Sequence, residues 1–65
     1  MLEPIDNAPL LLRMVDAARL IGVGRSTIYE LAARGEIPVV RIGRAVRVPA
    51  HALQEWAARL EREQA

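Results

Sequence analysis

The 65-residue sequence predicts a mainly α-helical fold with one small β-hairpin, and three observations predict it. Two short helical stretches are joined by Gly22-Val23-Gly24. The period then changes from helical to alternating across Val40-Arg41-Ile42 and Val46-Arg47-Val48. Finally Leu53, Trp56, Ala57 and Leu60 repeat at the i, i+3, i+4, i+7 spacing of a third helix with one buried face. Three helices and a two-stranded hairpin in this order make a winged helix-turn-helix, the hairpin being the wing.

Residues 1–9 carry Pro4 and Pro9 and no period, so they read as a flexible tail, and the folded domain is expected over residues 10–62. The first helix should run from about Met14 to Ile21, with Asp16 near its positive end. Arg13 stands where a Ser or Thr cap is usual, so that cap is missing; its side chain is either solvated or free to contact a phosphate. Gly22 begins the turn, Val23 packs between the helices, and Gly24 caps a second helix from Arg25 to about Ala33. Gly35 suits the left-handed conformation that ends a helix, and Pro38 confirms the stop. In this register Ala18, Gly22, Ile28 and Leu31 take the crossing, turn and core positions of a helix-turn-helix. Gly24, Arg25, Ser26, Tyr29, Glu30 and Ala33 then face outward.

The hairpin has two candidate registers. A two-residue loop at Gly43-Arg44 sets Arg41 opposite Val46 and Val40 opposite Arg47, mixing apolar and charged side chains on each face. A three-residue loop over residues 43–45 pairs Ile42 with Val46, Arg41 with Arg47 and Val40 with Val48, which makes one face aliphatic and the other arginine. The three-residue loop is the expected one, although that turn usually ends on glycine and Ala45 stands there. It puts Arg41 against Arg47 with Arg44 at the tip, and no acid lies between Glu36 and Glu55 to relieve the repulsion. A polyanion would relieve it, at the backbone or in a minor groove. Pro49 suits the first turn of the third helix, where Trp56 supplies the one large core side chain in a chain with no phenylalanine. That helix braces the wing, and the chain is expected to fray from Glu61, with residues 63–65 outside the domain.

Net charge is only +1, but its distribution is uneven. From Leu10 to Gln54 seven arginines face only Asp16, Glu30 and Glu36, a net of +4, and both ends are acidic. All nine basic residues are arginine, whose fork matches phosphate and guanine; GC-rich coding gives the same composition. A chain this short builds a small core and no deep substrate cavity. It has no cysteine for a disulfide or thiolate metal site, and no apolar run near the roughly 20 residues that span a bilayer. No leader pattern opens it, so a cytoplasmic, reduced protein is expected. His51 is the only histidine and has no partner for metal binding or nucleophilic catalysis, so neither an enzyme nor a cofactor or metal is expected. Gly24-Arg25-Ser26-Thr27 has the look of the end of a phosphate-binding loop. The first glycine of that motif would be residue 19, which is Arg19, the key lysine is absent, and a helix precedes it.

The successive signatures AARLIGVGRSTIYELAARGEIPVVRIGRAVRVP and ALQEWAARL resemble the excisionase-type, MerR-like helix-turn-helix DNA-binding domains, over about Leu11 to Leu60. The resemblance implies that the second helix enters a major groove of double-stranded DNA through Arg25, Ser26, Thr27, Tyr29 and Arg34. It implies that Arg41, Arg44 and Arg47 engage the neighbouring minor groove or backbone, that several copies associate on adjacent repeats, and that an integrase or other recombinase is a partner. Its implied role is an architectural factor directing site-specific recombination toward excision, the alternatives being a MerR-like transcriptional regulator and a protein-binding adaptor or antitoxin. Arg13 and Gly24 depart from the usual caps, and Glu30 stands where a basic residue is frequent. Glu30 either accepts from cytosine N4 or pairs with Arg34 at i+4.

Overall fold

In the computed structural model, which describes residues 9–64, the chain begins with an element that its sequence does not announce, β1 (Leu11–Arg13). It passes directly into α1 (Met14–Ile21), then α2 (Arg25–Ala33), β2 (Val40–Ile42), β3 (Ala45–Pro49) and α3 (Ala50–Gln64). Three helices and an antiparallel hairpin make the expected winged helix-turn-helix, with β1 added to its sheet. Apart from Pro9, the tail expected over residues 1–9 lies outside the described residues.

Glycine sets the helix boundaries. Gly22 (φ 77°) and Gly35 (φ 78°) adopt the left-handed conformation. Val23 N–H donates to Ala18 O and Glu36 N–H to Leu31 O, both at 3.0 Å, closing each helix with a Schellman turn. The first helix starts on Arg13 and the second on Gly24, both extended and neither giving a side-chain cap.

β3 is the central strand, paired antiparallel with β1 and β2. The hairpin corrects the expected register: Ile42 pairs with Ala45, Arg41 with Val46 and Val40 with Arg47, so the loop is Gly43-Arg44. Gly43 has φ 58°, the positive angle that a two-residue hairpin turn needs at its first position. Burial cannot oppose this choice, because all three residues of β2 are exposed and sorting their faces gains little. Turn chemistry therefore decides. The like-charge pair is Arg13 opposite Arg47, and Arg41 lies on the other face with Val46.

The core consists of Leu12, Met14, Ala17, Ala18, Ile28, Ile37, Val48 and Leu53, with Val23, Leu31 and Trp56 partly buried against it. α1 packs against α2, β1, β3 and α3. Trp56 is at the margin of the core rather than inside it, and Ala57 is exposed. Length explains this, since 15 residues rise about 22 Å and the 8 of α1 only about 12 Å, so α3 outruns its support. Pro49 ends β3 rather than opening the helix. The expected fraying from Glu61 is also corrected, because α3 stays helical to Gln64, built from good helix formers and an Arg59–Glu63 pair at 3.9 Å. Ala65 lies outside the described residues.

Gly22 and Gly24 both have open space where a Cβ would go, but only Gly22 has a positive φ. Gly24→Ser should supply the missing cap and raise stability by roughly 0.5 kcal/mol. Gly22→Ser should lower it by about 1 kcal/mol. Urea unfolding of the two variants checks the opposite signs.

Candidate nucleic-acid interface

Helical spacing divides α2 into two sides. Ile28 is fully buried, while Arg25, Ser26, Tyr29, Glu30 and Ala33 are exposed and Thr27 is half-buried. The hairpin lies beside the exposed side, and two adjoining concavities between them share Met14, Tyr29 and Val46. Arg13, Arg25, Arg44 and Arg47 line one, with Val15 and Ala45. The other holds Arg41 with Ala32, Ala33 and Val39. Five arginines from β1, α2, β2, β3 and the hairpin turn thus border one trough, and no acidic side chain lines it.

Exposed charges are screened over about 8 Å at physiological ionic strength, so the free protein tolerates such a cluster. A polyanion laid along it gains from every arginine at once, because each phosphate neutralised releases condensed counterions. Local contacts shape the arginines further. The Arg25 guanidinium lies over the Tyr29 ring, 5.9 Å from its centroid, one helical turn away. Arg47 Nη1 donates to Val46 O at 3.0 Å. Arg13 Nε donates to Asp16 Oδ2 at 3.2 Å across the start of α1.

Of the residues singled out in the sequence, the fold brings Arg13, Arg25, Tyr29, Arg41, Arg44 and Arg47 to the trough. Ser26, Thr27, Glu30 and Arg34 do not line it. Arg34 sits past the end of α2, 3.9 Å from Glu30 and 3.4 Å from Glu36. The Glu30–Arg34 pair at i+4, one of the two alternatives for Glu30, is therefore present. Glu36 joins it because the Schellman turn folds the chain back at Gly35.

Residues 11–61 match the helix-turn-helix domain family. The chain belongs to that family. This helix-turn-helix domain is 47% identical over 55 residues to a protein of Saccharopolyspora erythraea named "Probable excisionase", covering 85% of this chain and 56% of that one. It is 42% identical over 45 residues to a protein named "Putative DNA-binding protein" in two strains of Mycobacterium tuberculosis, covering 69% of this chain and 58% of each of those. The helix-turn-helix chain spans somewhat more than half the length of these curated relatives. No solved structure matches it.

Sequence reasoning missed the trough's floor, since Met14 read only as the start of the first helix and Val46 only as a hairpin residue. It also missed the Arg25–Tyr29 stack, although i, i+4 spacing was there to suggest it. Among the described residues no helix is long and apolar enough to cross a membrane, and no group of three acidic or histidine side chains could hold a metal.

The Glu30 and Arg34 side chains are about two-thirds exposed. A double-mutant cycle with Glu30→Ala and Arg34→Ala should accordingly give a stability coupling below about 0.5 kcal/mol. Thermal unfolding of the four proteins measures it, and coupling above about 1 kcal/mol would show a stronger pair than the geometry supports.

Proposed function

We propose that this helix-turn-helix domain binds double-stranded DNA without chemistry, as an excisionase-like architectural factor. The observation that carries the proposal is the acid-free trough in which the start of α2 and the hairpin present arginines together. Arg25, at the first helical position and stacked on Tyr29, suits a bidentate contact to guanine in the major groove. Ser26 and Thr27 are on the same first turn, and their hydroxyls suit a phosphate contact. Arg44 in the turn, with Arg41, Arg47 and Arg13 behind it, suits the backbone or a narrow minor groove.

The excisionase role, rather than promoter regulation, rests on the 47% identity to the Saccharopolyspora protein. In that role copies occupy adjacent repeats beside an attachment site, bend the duplex and help place an integrase so that excision is favoured. The Arg34 cluster with Glu30 and Glu36 ends the basic surface at the far end of α2.

Arg25→Ala should weaken binding to a selected target by roughly 1 to 3 kcal/mol and relax preference at one or two base pairs. Arg44→Ala should weaken all duplexes alike and lower the slope of log affinity against log salt by about one. Fluorescence-anisotropy titrations over a salt series, after selection of bound fragments from random DNA, measure both. An unchanged slope for Arg44→Ala would remove the hairpin from the interface.

A further inference from the structure

We infer that Asp16 is a positioning residue for duplex binding, holding Arg13 ready for a phosphate. The inference rests on the DNA-binding proposal above and adds an acid to a surface otherwise built from arginines. β1 places Arg13 directly opposite Arg47 in the sheet, where two like charges on neighbouring strands repel. Arg13 is also long and flexible, with 67% of its side chain exposed, so left alone it would turn away from Arg47 into solvent. Asp16 biases it against this turn. It stands in the first turn of α1, where a carboxylate is favoured by the positive helix end, and its side chain is half as exposed as that of Arg13.

The contact runs from Arg13 Nε to Asp16 Oδ2 at 3.2 Å. Holding a guanidinium by its Nε restricts its orientation and leaves the Nη donors for an incoming phosphate oxygen. Asp16 does not itself line the trough, whereas Arg13 does. The acid is therefore not among the groups that line the surface a ligand in the trough would meet. Less of the arginine's freedom then has to be lost when the duplex arrives.

Simple electrostatics makes the opposite forecast, since deleting an acid beside a polyanion should tighten binding, and this makes the test decisive. The probe is a short duplex of mixed sequence, titrated by anisotropy against wild type, Asp16→Ala, Asp16→Asn, Arg13→Ala and the double variant Arg13→Ala/Asp16→Ala. Asp16→Ala should weaken binding about two- to fivefold, the range of an exposed ion-pair coupling. Asp16→Asn, which keeps an oxygen acceptor for Nε, should recover part of the loss. In the Arg13→Ala background, removing Asp16 should leave binding unchanged or improve it.

A merely structural role would lower binding in both backgrounds through loss of folded protein, and that result would overturn the inference. So would tighter binding by Asp16→Ala in the wild-type background. If wild type binds with a salt-dependent affinity and Asp16 has either of those effects, only the positioning role falls. Absence of wild-type binding removes the DNA-binding proposal and the role of Asp16 together.

Discussion

The arrangement of this molecule depends on how closely other elements can approach α1. Its buried face is made of Met14, Ala17 and Ala18, and the two alanines are 0% and 3% exposed. Small side chains on a buried face let the backbones of neighbours come near, and α1 touches α2, β1, β3 and α3. It is the common support through which the second helix and the hairpin hold their relative positions. With eight buried residues in the core among those described, little else there could correct a shift of α1. A larger side chain at Ala17 would force neighbours apart, and the trough between α2 and the hairpin would change shape with them.

Charge is organised around that support rather than by the sheet alone. Facial sorting of the hairpin would have gathered its arginines on one side. The two-residue turn divides them instead, with Arg47 beside Arg13 on one face and Arg41 beside Val46 on the other. They nevertheless border adjoining parts of one trough, Arg13, Arg44 and Arg47 at one part and Arg41 at the other. Arg34, just past the end of the helix that Arg25 opens, is drawn instead toward Glu30 and Glu36. Position relative to α2 thus decides which arginines are available to a ligand.

What could be read from the sequence was the part fixed by local chemistry. Gly22 and Gly35 mark helix ends because a left-handed residue is needed there, and both have that conformation. The change of period at Val40 marks the hairpin for the same kind of reason. The parts that could not be read were set by partners far along the chain. Leu11 to Arg13 is too short to show alternation, and it becomes a strand only because Val48 and Arg47 are available to pair with it. The register went against hydrophobic sorting because an exposed edge strand gives sorting no energy to work with, while Gly43 meets a strict backbone requirement. For the site, residue types and outward positions on α2 were legible. The floor of the trough and the Arg13–Asp16 contact were not, because both depend on where β1 and the hairpin come to rest.

The central claim is that the start of α2 and the hairpin act as one surface toward a duplex. Titrating isotopically labelled protein with duplex DNA and following backbone amide shifts by nuclear magnetic resonance tests it most directly. We expect residues 25–29 and 41–47 to shift together, with one affinity and one stoichiometry. Shifts confined to one of these segments, or centred on the exposed side of α3, would contradict it.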